Sequence, residues 1–590
     1  MLSGQILIVP CCEPGKGGGH LSRCIALTKD LHAMGKKARL FITPQTRDLT
    51  NLYKSHDFNP SWCITNEELE IRQKLEGDLD FIVLDNFKTT QEEITHWKNF
   101  APVIGIDEGG AFREEFDFLI DILIPRNFIK PAANITSPKL IIKNISKRRA
   151  DSSARKDRIL ISFGQEDTAG LGLKTAQTLS EMEDSQYWDI TLLKGALSGG
   201  LMHTPKNVKV LDNIPKLAER LHEYDLVITH YGLTAYEALY AGTRVLLDHP
   251  TPLHKELANT AGFETLSQKS FTRKRVEPSS RAIKDMDNEI KDNKNFAELI
   301  NTFSPIIIKN CPVCGSEKKQ VISRLTDRTY KRCKKCGVIY MDRINEPPIE
   351  YEKEYFFESY KKQYGKTYLE DFENIKQNGK NRLKIIKFLR GSVAPCEGIS
   401  EPTLLDIGCA YGPFLAAAKE EGFSPTGIDP AQDAVKYVNE KLGIPAIHSM
   451  FPVSLSDSFD VITLWYVIEH FKDCVSVLSE IKKLLKPNGI LAFSTPSFSG
   501  ISGRASLENF LSASPADHFT IWSPKMVKKA LALCGFKVKK IVVIGHHPER
   551  FPVLEKLAKS KKGLVYSILL AYSKLFGLGD TFEVYAVKVD

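Results

Sequence analysis

Four cysteines near the middle of the chain have the spacing of a structural zinc site. They form two Cys-x-x-Cys pairs, Cys311 with Cys314 and Cys333 with Cys336, which eighteen residues separate. Each pair can supply two thiolates from one tight turn, and a hairpin between the pairs would close a tetrahedral site. The spacing predicts a zinc ribbon with four cysteine ligands; four free or redox-active cysteines are the alternative. Because four thiolates leave no open coordination position, we expect the metal to be structural.

A glycine turn further along the chain has the layout of a nucleotide or cofactor site. The strand-like segment Thr403–Ile407 runs into the turn Gly408–Gly412, and a helical segment follows. The next strand-like segment ends in Asp429, twenty-three residues after Asp406. An acid at the end of the strand beside a glycine turn can accept the hydroxyls of a ribose. The turn lacks the full Gly-x-Gly-x-x-Gly pattern, because its middle position is Ala410.

Four segments of this half resemble class I S-adenosylmethionine-dependent methyltransferases: LLDIGCAYGPFL (404–415), GIDP (427–430), FDVITLWYVIEHFKD (459–473) and LLKPNGILAFSTP (484–496). The likeness covers roughly residues 400–590, and the ribbon looks like the N-terminal zinc region of some sugar methyltransferases. It implies an S-adenosylmethionine site in which Asp406 orients the methionine ammonium and Asp429 accepts both ribose hydroxyls. The turn residues that would lie close to the cofactor are Gly408, Ala410 and Gly412.

Two histidines are candidates for a general base. Methyl transfer is an in-line displacement from a sulfonium, so the enzyme mainly aligns the reactants and removes a proton from the acceptor where needed. The resemblance places the acceptor after the strand that leads to Glu469 and His470, which makes His470 the first candidate. His518 is the second candidate. A purely structural role for either histidine is the alternative.

The N-terminal part of the chain opens like another nucleotide-binding α/β unit. The apolar segment Gln5–Pro10 leads into a glycine turn that ends at His20, and Ile25–Met34 has helical apolar spacing. Glycines in such a turn let backbone amides approach an anion at a helix N-terminus. Further strand-like segments follow, most of them separated by helical ones, which predicts parallel sheets. They are Ala38–Ile42, Phe81–Asp85, Val103–Asp107, Leu119–Ile124, Ile159–Phe163, Asp189–Leu193, Val208–Leu211, Leu226–Thr229 and Arg244–Asp248.

The number of strands predicts two sheets, with a break across Arg126–Arg158, and therefore two Rossmann-like halves around a cleft. Four segments in this order resemble GT-B-type nucleotide-sugar proteins, which include the UDP-sugar hydrolase of pseudaminic acid biosynthesis and related spore-coat polysaccharide proteins. They are GGGHLSRCIAL (17–27), VIGIDEGG (103–110), LISFGQEDTAGL (160–171) and DLVITHYGLTAYEALYAGTRVLL (225–247). The likeness covers about residues 1–265.

This second resemblance implies a nucleotide-sugar site. His20 would be the general base that activates water or an acceptor hydroxyl, and Asp107 and Glu108 are weaker site candidates. The residues that would contact the nucleotide sugar are Gly18, Gly19, Gly164, Gly232, Thr234 and Glu237. Purely structural roles for His20 and Glu237 are the alternative.

The sequence departs from the hydrolase pattern in three places. Gln165 follows Gly164 where the family usually has a second glycine, and 252–254 is Pro-Leu-His where it often has Asn-Gln. The acid that usually precedes the glycine turn is represented only by Glu13. Hydrolysis, glycosyl transfer and binding without catalysis therefore all stay open for this half.

The motifs predict an α/β multidomain chain. Its segments are two Rossmann-like halves of a GT-B-like pair (1–140 and 141–267), a charged linker (268–307), the zinc ribbon (308–345), an aromatic helical region that is either a cofactor lid or packing on the ribbon (346–398), and the methyltransferase domain with its Rossmann-like fold (399–590).

Composition narrows the function classes. The chain has 590 residues and a net charge of +8, and because its Lys and Arg are scattered and matched by acids, we expect no nucleic-acid partner. The eight cysteines outside the ribbon show no disulfide framework, which suits a reducing cytosol. No apolar run reaches the ~18 residues of a membrane span. The segment Gly563–Ser573 allows peripheral membrane contact, but burial within the methyltransferase fold is the favoured interpretation.

Together these features predict a bifunctional cytoplasmic enzyme of surface-glycan or glycoprotein-sugar biosynthesis. A nucleotide-sugar hydrolase-like or glycosyltransferase half, acting on a UDP- or CMP-linked sugar, would be fused to an S-adenosylmethionine-dependent methyltransferase that modifies a sugar or glycan intermediate. The alternative is a non-catalytic N-terminal half that binds nucleotide sugar or glycan for the methyltransferase.

Overall fold

A computed structural model gives the three-dimensional structure. It describes residues 5–11, 19–43, 58–67, 79–126, 128–141, 145–147, 156–164, 167, 169–195, 204–266, 294–347, 357–358, 360–391, 401–552 and 563–589. The chain forms two compact units. The first comprises Met1–Ile306, Arg324–Thr329 and Arg343–Asn345, and the second comprises Ile307–Ser323, Tyr330–Asp342 and Glu346–Asp590.

The first sheet of the first unit is parallel and has seven strands. Its strands are β1 Gln5–Pro10, β2 Lys37–Phe41, β3 Cys63–Ile64, β4 Leu79–Asp85, β5 Val103–Ile106, β6 Phe118–Asp121 and β7 Ile135–Thr136. They lie in the order β3-β2-β1-β4-β5-β6-β7. Five of the six residues of β1 are buried, as expected for an apolar strand covered on both faces.

The second sheet of the same unit is also parallel. Its strands are β8 Asp157–Ser162, β9 Trp188–Leu193, β10 Val208–Leu211, β11 Leu226–Thr229 and β12 Arg244–Leu247, in the order β10-β9-β8-β11-β12. The helices of the first unit are α1 Gly19–Ala33, α2 Gln91–Lys98, α3 Leu171–Ser180, α4 Leu217–Arg220, α5 Leu233–Tyr240, α6 Pro252–Ala261 and α7 Phe296–Asn301.

The cysteine pairs accompany three strands, β13 Lys319–Leu325, β14 Arg328–Cys333 and β15 Ile339–Arg343. The methyltransferase-like part contributes β16 Thr403–Ile407, β17 Ser424–Asp429, β18 Ala446–His448, β19 Phe459–Trp465, β20 Leu485–Pro496, β21 Thr520–Ile521, β22 Phe536–Ile544 and β23 Thr581–Lys588. Strand β21 pairs with β15 in a four-stranded sheet. The others form a seven-stranded sheet in the order β18-β17-β16-β19-β20-β23-β22, in which β23 runs antiparallel to both neighbours.

The remaining helices lie between these strands along the chain. They are α8 Tyr360–Tyr364, α9 Phe372–Gly391, α10 Pro413–Glu420, α11 Gln432–Tyr437, α12 Cys474–Leu484, α13 Ile501–Ala505, α14 Leu507–Ala513, α15 Pro524–Leu533 and α16 Leu564–Leu575. Among the described residues, no helix is long and apolar enough to cross a membrane.

The structure confirms the parallel sheets that the sequence predicts. Three strands of only two residues, β3, β7 and β21, were not predicted, because an edge strand this short shows no apolar periodicity. One expectation was wrong: α16 is not buried, since Leu564, Ile568 and Leu575 are more than half exposed. Residues 268–293, which are most of the predicted linker, lie outside the described residues.

Candidate functional site

The turn Gly408–Gly412 is tied to the ends of two neighbouring parallel strands. The backbone N–H of Gly408 donates to the carbonyl oxygen of Ile428 (2.7 Å). Asp429 ends β17, and its carboxylate accepts hydrogen bonds from the backbone N–H of Ala410 (2.7 Å) and of Ala431 (2.8 Å). Ala410 has a positive φ of 48°, so the turn is left-handed at its middle residue although no glycine stands there. The two carboxylate oxygens of Asp429 therefore hold both the turn and the start of the next helix.

Neighbouring side chains leave no room at the two glycines of this turn. A Cβ at Gly408 would lie 2.4 Å from the side chain of Val467, and Gly408 has a φ of 75°. A Cβ at Gly412 would lie 2.8 Å from the side chain of Val438. Both positions thus require glycine for backbone conformation and for packing.

Asp406 is a buried carboxylate at the other side of the turn. It lies in β16, is 2% exposed, and accepts a hydrogen bond from the hydroxyl of Thr463 (2.6 Å). Burial raises its pKa to about 7, and the charge of Arg382, which pairs with Glu583, offsets this only in part. A cationic ligand beside Asp406 would restore its negative charge.

An aromatic cluster packs against the same turn. The rings of Phe357 and Tyr368 lie 6.0 and 6.3 Å from the ring of Tyr411, and the ring of Tyr437 lies 5.4 Å from it. Tyr411 is the residue before Gly412, so part of the region predicted as either a lid or ribbon packing lies over the glycine turn. Its role as a cofactor lid stays a prediction.

The two predicted base candidates lie together in the second unit. His470 ends a short 3₁₀ turn after β19, and its Nδ1 lies 2.7 Å from a carboxylate oxygen of Asp517. The ring of His518 packs edge-on against that of His470, with centroids 4.8 Å apart. Burial lowers the pKa of His470, but the hydrogen bond to Asp517 and the charge of Glu469 outweigh it, so the pKa is raised.

Glu469 lies beside these two histidines, and the three residues form the His470 cluster. The sequence alone predicts no specific role for Glu469. Its carboxylate is fully buried, and neither oxygen accepts a hydrogen bond of normal geometry from the described residues. Burial raises its pKa to about 7. Ligand atoms of Glu469, His470 and His518 lie within 4.8 Å of one another. The hydroxyl of Thr495 and the charge of His470 interact with this carboxyl group and offset only part of the effect of burial. A buried carboxyl group beside two imidazoles is suited to receive a polar group of a substrate.

The four cysteines converge as a metal site requires. The sulfur of Cys311 lies 3.5 Å from that of Cys336, and the sulfur of Cys314 lies 3.6 Å from that of Cys333. All four sulfurs lie within 4.8 Å of one another. Tetrahedral zinc with Zn–S bonds of ~2.3 Å needs sulfur separations of about 3.8 Å, so the donor set and its spacing fit zinc. Three of the four cysteines share a buried core with residues of the methyltransferase-like sheet.

In the first unit, His20 belongs to a buried charge network. Its Nδ1 lies 2.6 Å from a carboxylate oxygen of Asp85, the last residue of β4. Arg23 donates two hydrogen bonds to Asp85 (2.6 and 2.8 Å) and one to Asp107 (2.7 Å). Burial alone would raise the pKa of Asp85, but the charges of Arg23 and His20 outweigh it and hold that pKa well below its usual range. Asp85 is therefore a fixed anion that orients the His20 ring.

The two weaker candidates of this unit have structural contacts. Asp107 accepts hydrogen bonds from three successive backbone amides, those of residues 122–124, in addition to Arg23. Glu108 is fully buried and accepts from Thr89 and from the backbone of Gly110. Each carboxylate is thus held by contacts within the fold, and a role of either one in a nucleotide-sugar site stays a prediction.

Two of the predicted nucleotide-contacting residues that follow strands of the second sheet lie next to a histidine. A Cβ at Gly164 or at Gly232 would lie 3.3 Å from the ring of His230, which follows β11. Both glycines thus give space to this imidazole. In α5, Thr234 is half-buried, and burial raises the pKa of Glu237 to about 7. At the start of α1, a Cβ at Gly19 would have no described atom within 4 Å, and Gly18 lies outside the described residues.

Asp85 and Asp517 are the polar partners that the sequence analysis does not assign. Asp85 ends a predicted strand, and an acid at the carboxyl end of a parallel strand next to β1 was a usable signal. Asp517 directly precedes His518, but its pairing with His470 depends on a contact across forty-six residues of sequence. Such a contact has no local pattern in the chain.

Comparison with known proteins identifies one part of the chain. Residues 374–541 match a family model described as a methyltransferase domain. The ubiquinone biosynthesis O-methyltransferase of Histophilus somni is 32% identical over 138 residues, which are 21% of this chain and 55% of that protein. The chain thus spans about half the length of this relative. The uncharacterized protein MJ1062 of Methanocaldococcus jannaschii is 21% identical over 381 residues, or 60% of this chain and 77% of that protein.

Solved methyltransferase structures are also similar to part of the chain. A methyltransferase from Archaeoglobus fulgidus, described as SAM-dependent, is 22% identical, and its match covers 39% of this chain and 98% of that one with a TM-score of 0.27. The family model itself places a methyltransferase domain in the second unit, around the Gly408–Gly412 turn and the His470 cluster.

Proposed function

We propose that the methyltransferase domain binds S-adenosylmethionine across the ends of β16 and β17 and transfers its methyl group to a sugar or glycan intermediate. The observation that supports this most strongly is the pair of buried acids beside one left-handed turn. Asp406 lacks a full counter-charge, which suits the methionine ammonium, and Asp429 lies at the end of the neighbouring strand, where ribose hydroxyls can be accepted. The rings of Phe357 and Tyr368, which pack against Tyr411, would cover the adenosine.

His470 removes the proton of the acceptor, and Asp517 stabilises the imidazolium that forms. A carboxylate at 2.7 Å from Nδ1 fixes the ring and raises its basicity. Glu469 would accept a hydroxyl of the acceptor, since its buried carboxyl oxygens accept no hydrogen bond of normal geometry from the described residues. His518, which packs on His470, is the second candidate for the base.

Methyl transfer from isotopically labelled S-adenosylmethionine to a panel of nucleotide sugars and free sugars, followed by mass spectrometry, tests this function. The expected result is one labelled methyl group on a sugar acceptor. His470→Asn should abolish transfer and leave cofactor binding intact, whereas His518→Asn should have a smaller effect. Labelling of no sugar by the wild-type chain would reject the acceptor class, and full activity of His470→Asn would reject the base.

For the first unit we propose a nucleotide-sugar site in which His20 is the base. Support comes from the His20–Asp85 pair, because a histidine held by a buried anion at the end of a parallel sheet is the arrangement of a general base. Incubation with UDP- and CMP-sugars in water distinguishes the cases: free sugar indicates hydrolysis, and transfer only with an added acceptor indicates a glycosyltransferase. Nucleotide binding without turnover, unchanged in His20→Ala, would instead support a binding module.

A further inference from the structure

Helix α16 has an apolar outer face that the proposed chemistry does not use. Its exposed apolar side chains recur every three or four residues, so they form one stripe along the helix. They are 47–79% exposed and comprise Leu564, Ile568, Tyr572, Leu575 and Phe576. We call this set the α16 face.

The opposite side anchors α16 to the domain. Leu569 packs in a small apolar cluster with Ile501, Phe551 and Leu578. The hydroxyl of Ser573 lies 2.7 Å from Nδ1 of His546 and is fully buried. Because the inner side is already packed, the α16 face is an outer surface of the described part of the domain. A helix that is apolar on all sides normally has both faces covered.

We propose that the α16 face docks onto an anionic membrane surface. The size of the face favours a membrane over a second copy of this chain. A helix of twelve residues is about 18 Å long, and a stripe about 10 Å wide covers roughly 200 Å². A stable dimer buries roughly 800 Å² on each partner. Binding to a bilayer has no such minimum, because each inserted apolar side chain adds to the affinity.

The sequence around the helix has the charge that an anionic bilayer attracts. Lys574 lies on α16, and residues 556–562, KLAKSKK, contain four lysines and no acid. Those seven residues lie outside the described part of the chain and are not counted in the α16 face. A basic segment followed by an apolar helix with aromatic rings is typical of helices that lie in the plane of a membrane interface. At about 18 Å, α16 is too short for a hydrocarbon core of ~30 Å, so it would lie along the surface.

Sedimentation of the full chain with vesicles tests this docking. The vesicles are pure phosphatidylcholine, or phosphatidylcholine with one third phosphatidylglycerol, each at low and at high salt. We expect binding to the anionic vesicles that high salt weakens. The variant Ile568→Asp/Leu575→Asp should bind them about tenfold less or weaker still. The control Phe388→Asp/Leu533→Asp changes two other exposed apolar side chains of the second unit and should bind like the wild type.

Three outcomes would overturn the proposal. The first is no sedimentation of the wild type with anionic vesicles. The second is equal binding by the wild type and the α16 variant. The third is a wild-type dimer in light scattering that becomes monomeric in the α16 variant while vesicle binding is absent, which would assign the face to a second copy. Circular dichroism and unfolding temperature of both double variants show whether the fold is kept. The docking does not depend on the identity of the methyl acceptor.

Discussion

Replacing Asp85 by Asn should destabilise the first unit by about 3 kcal/mol. Asp85 is 1% exposed and accepts three close contacts, two from Arg23 and one from His20. Removing one partner of a buried ion pair costs roughly 3–5 kcal/mol, because the other charge stays buried without compensation. We expect the lower end of that range, since Arg23 keeps its hydrogen bond to Asp107 (2.7 Å).

The assay is differential scanning calorimetry of the full chain near neutral pH, where the first unit should unfold about 5–10 °C earlier in the variant. Asp80→Asn is the matched control, because Asp80 lies on the same strand with an exposed side chain and should leave the transition unchanged. The pKa of Asp85 is lowered in the fold, so its contribution is complete above the unfolded value of ~3.9 and is lost as the pH falls below it. The difference between wild type and variant should therefore shrink in acid.

The double variant Arg23→Met/Asp85→Asn tests whether the two residues contribute to stability as a coupled pair. If the pair is coupled as the contacts indicate, the double change should cost at least about 1 kcal/mol less than the sum of the two single changes. Strictly additive effects, or a neutral Asp85→Asn, would refute the assignment of Asp85 as the fixed anion of this network.

Three further predictions concern the second unit. Asp517→Asn removes the contact that raises the pKa of His470, so the acid limb of the methyl-transfer rate should move to lower pH; an unmoved limb in the pH–rate profile would show that His470 is not the base. Cys333→Ser should lower the bound zinc, measured by atomic emission, from one ion per chain to near zero. It should also abolish methyl transfer while nucleotide-sugar chemistry continues. Loss of both activities would contradict the assignment of the ribbon to the methyltransferase. Gly408→Ala should weaken S-adenosylhomocysteine binding at least about tenfold in calorimetry. The reason is that the new Cβ would lie 2.4 Å from the side chain of Val467 in a left-handed turn. Normal affinity would show that the turn can shift at no cost in free energy.

The sequence predicted the sheets well because their strands are long and apolar. Strands such as β1 and β4 are buried over nearly their whole length, and this pattern is visible as an unbroken apolar segment. The cysteine cluster was equally predictable, since both pairs are local turns and the hairpin between them fixes their meeting. The positive φ values of Gly408 and Gly412 were also marked by residue type, whereas that of Ala410 between them was not.

Contacts between distant side chains could not be predicted in the same way. The partners of His20 and His470 are Asp85 and Asp517, and only the packing of separate elements brings these pairs within hydrogen-bonding distance. The outer face of α16 was misjudged for a related reason. Its apolar composition suits a core helix, and the sequence does not show that only one side of it finds a partner in the fold.

The most direct test of the methyl-donor site is a calorimetric titration of S-adenosylmethionine into the wild-type chain and Asp429→Asn. In the variant, the amide nitrogen would face a backbone N–H of Ala410 or Ala431, and one charged acceptor would be lost. A loss of about 2 kcal/mol in the free energy of binding corresponds to roughly 30-fold weaker binding of S-adenosylmethionine. We predict one site in the wild type, at least this loss in Asp429→Asn, and wild-type affinity in the exposed control Asp433→Asn. Absence of binding by the wild type, or equal affinity of the wild type and Asp429→Asn, would contradict the proposed site.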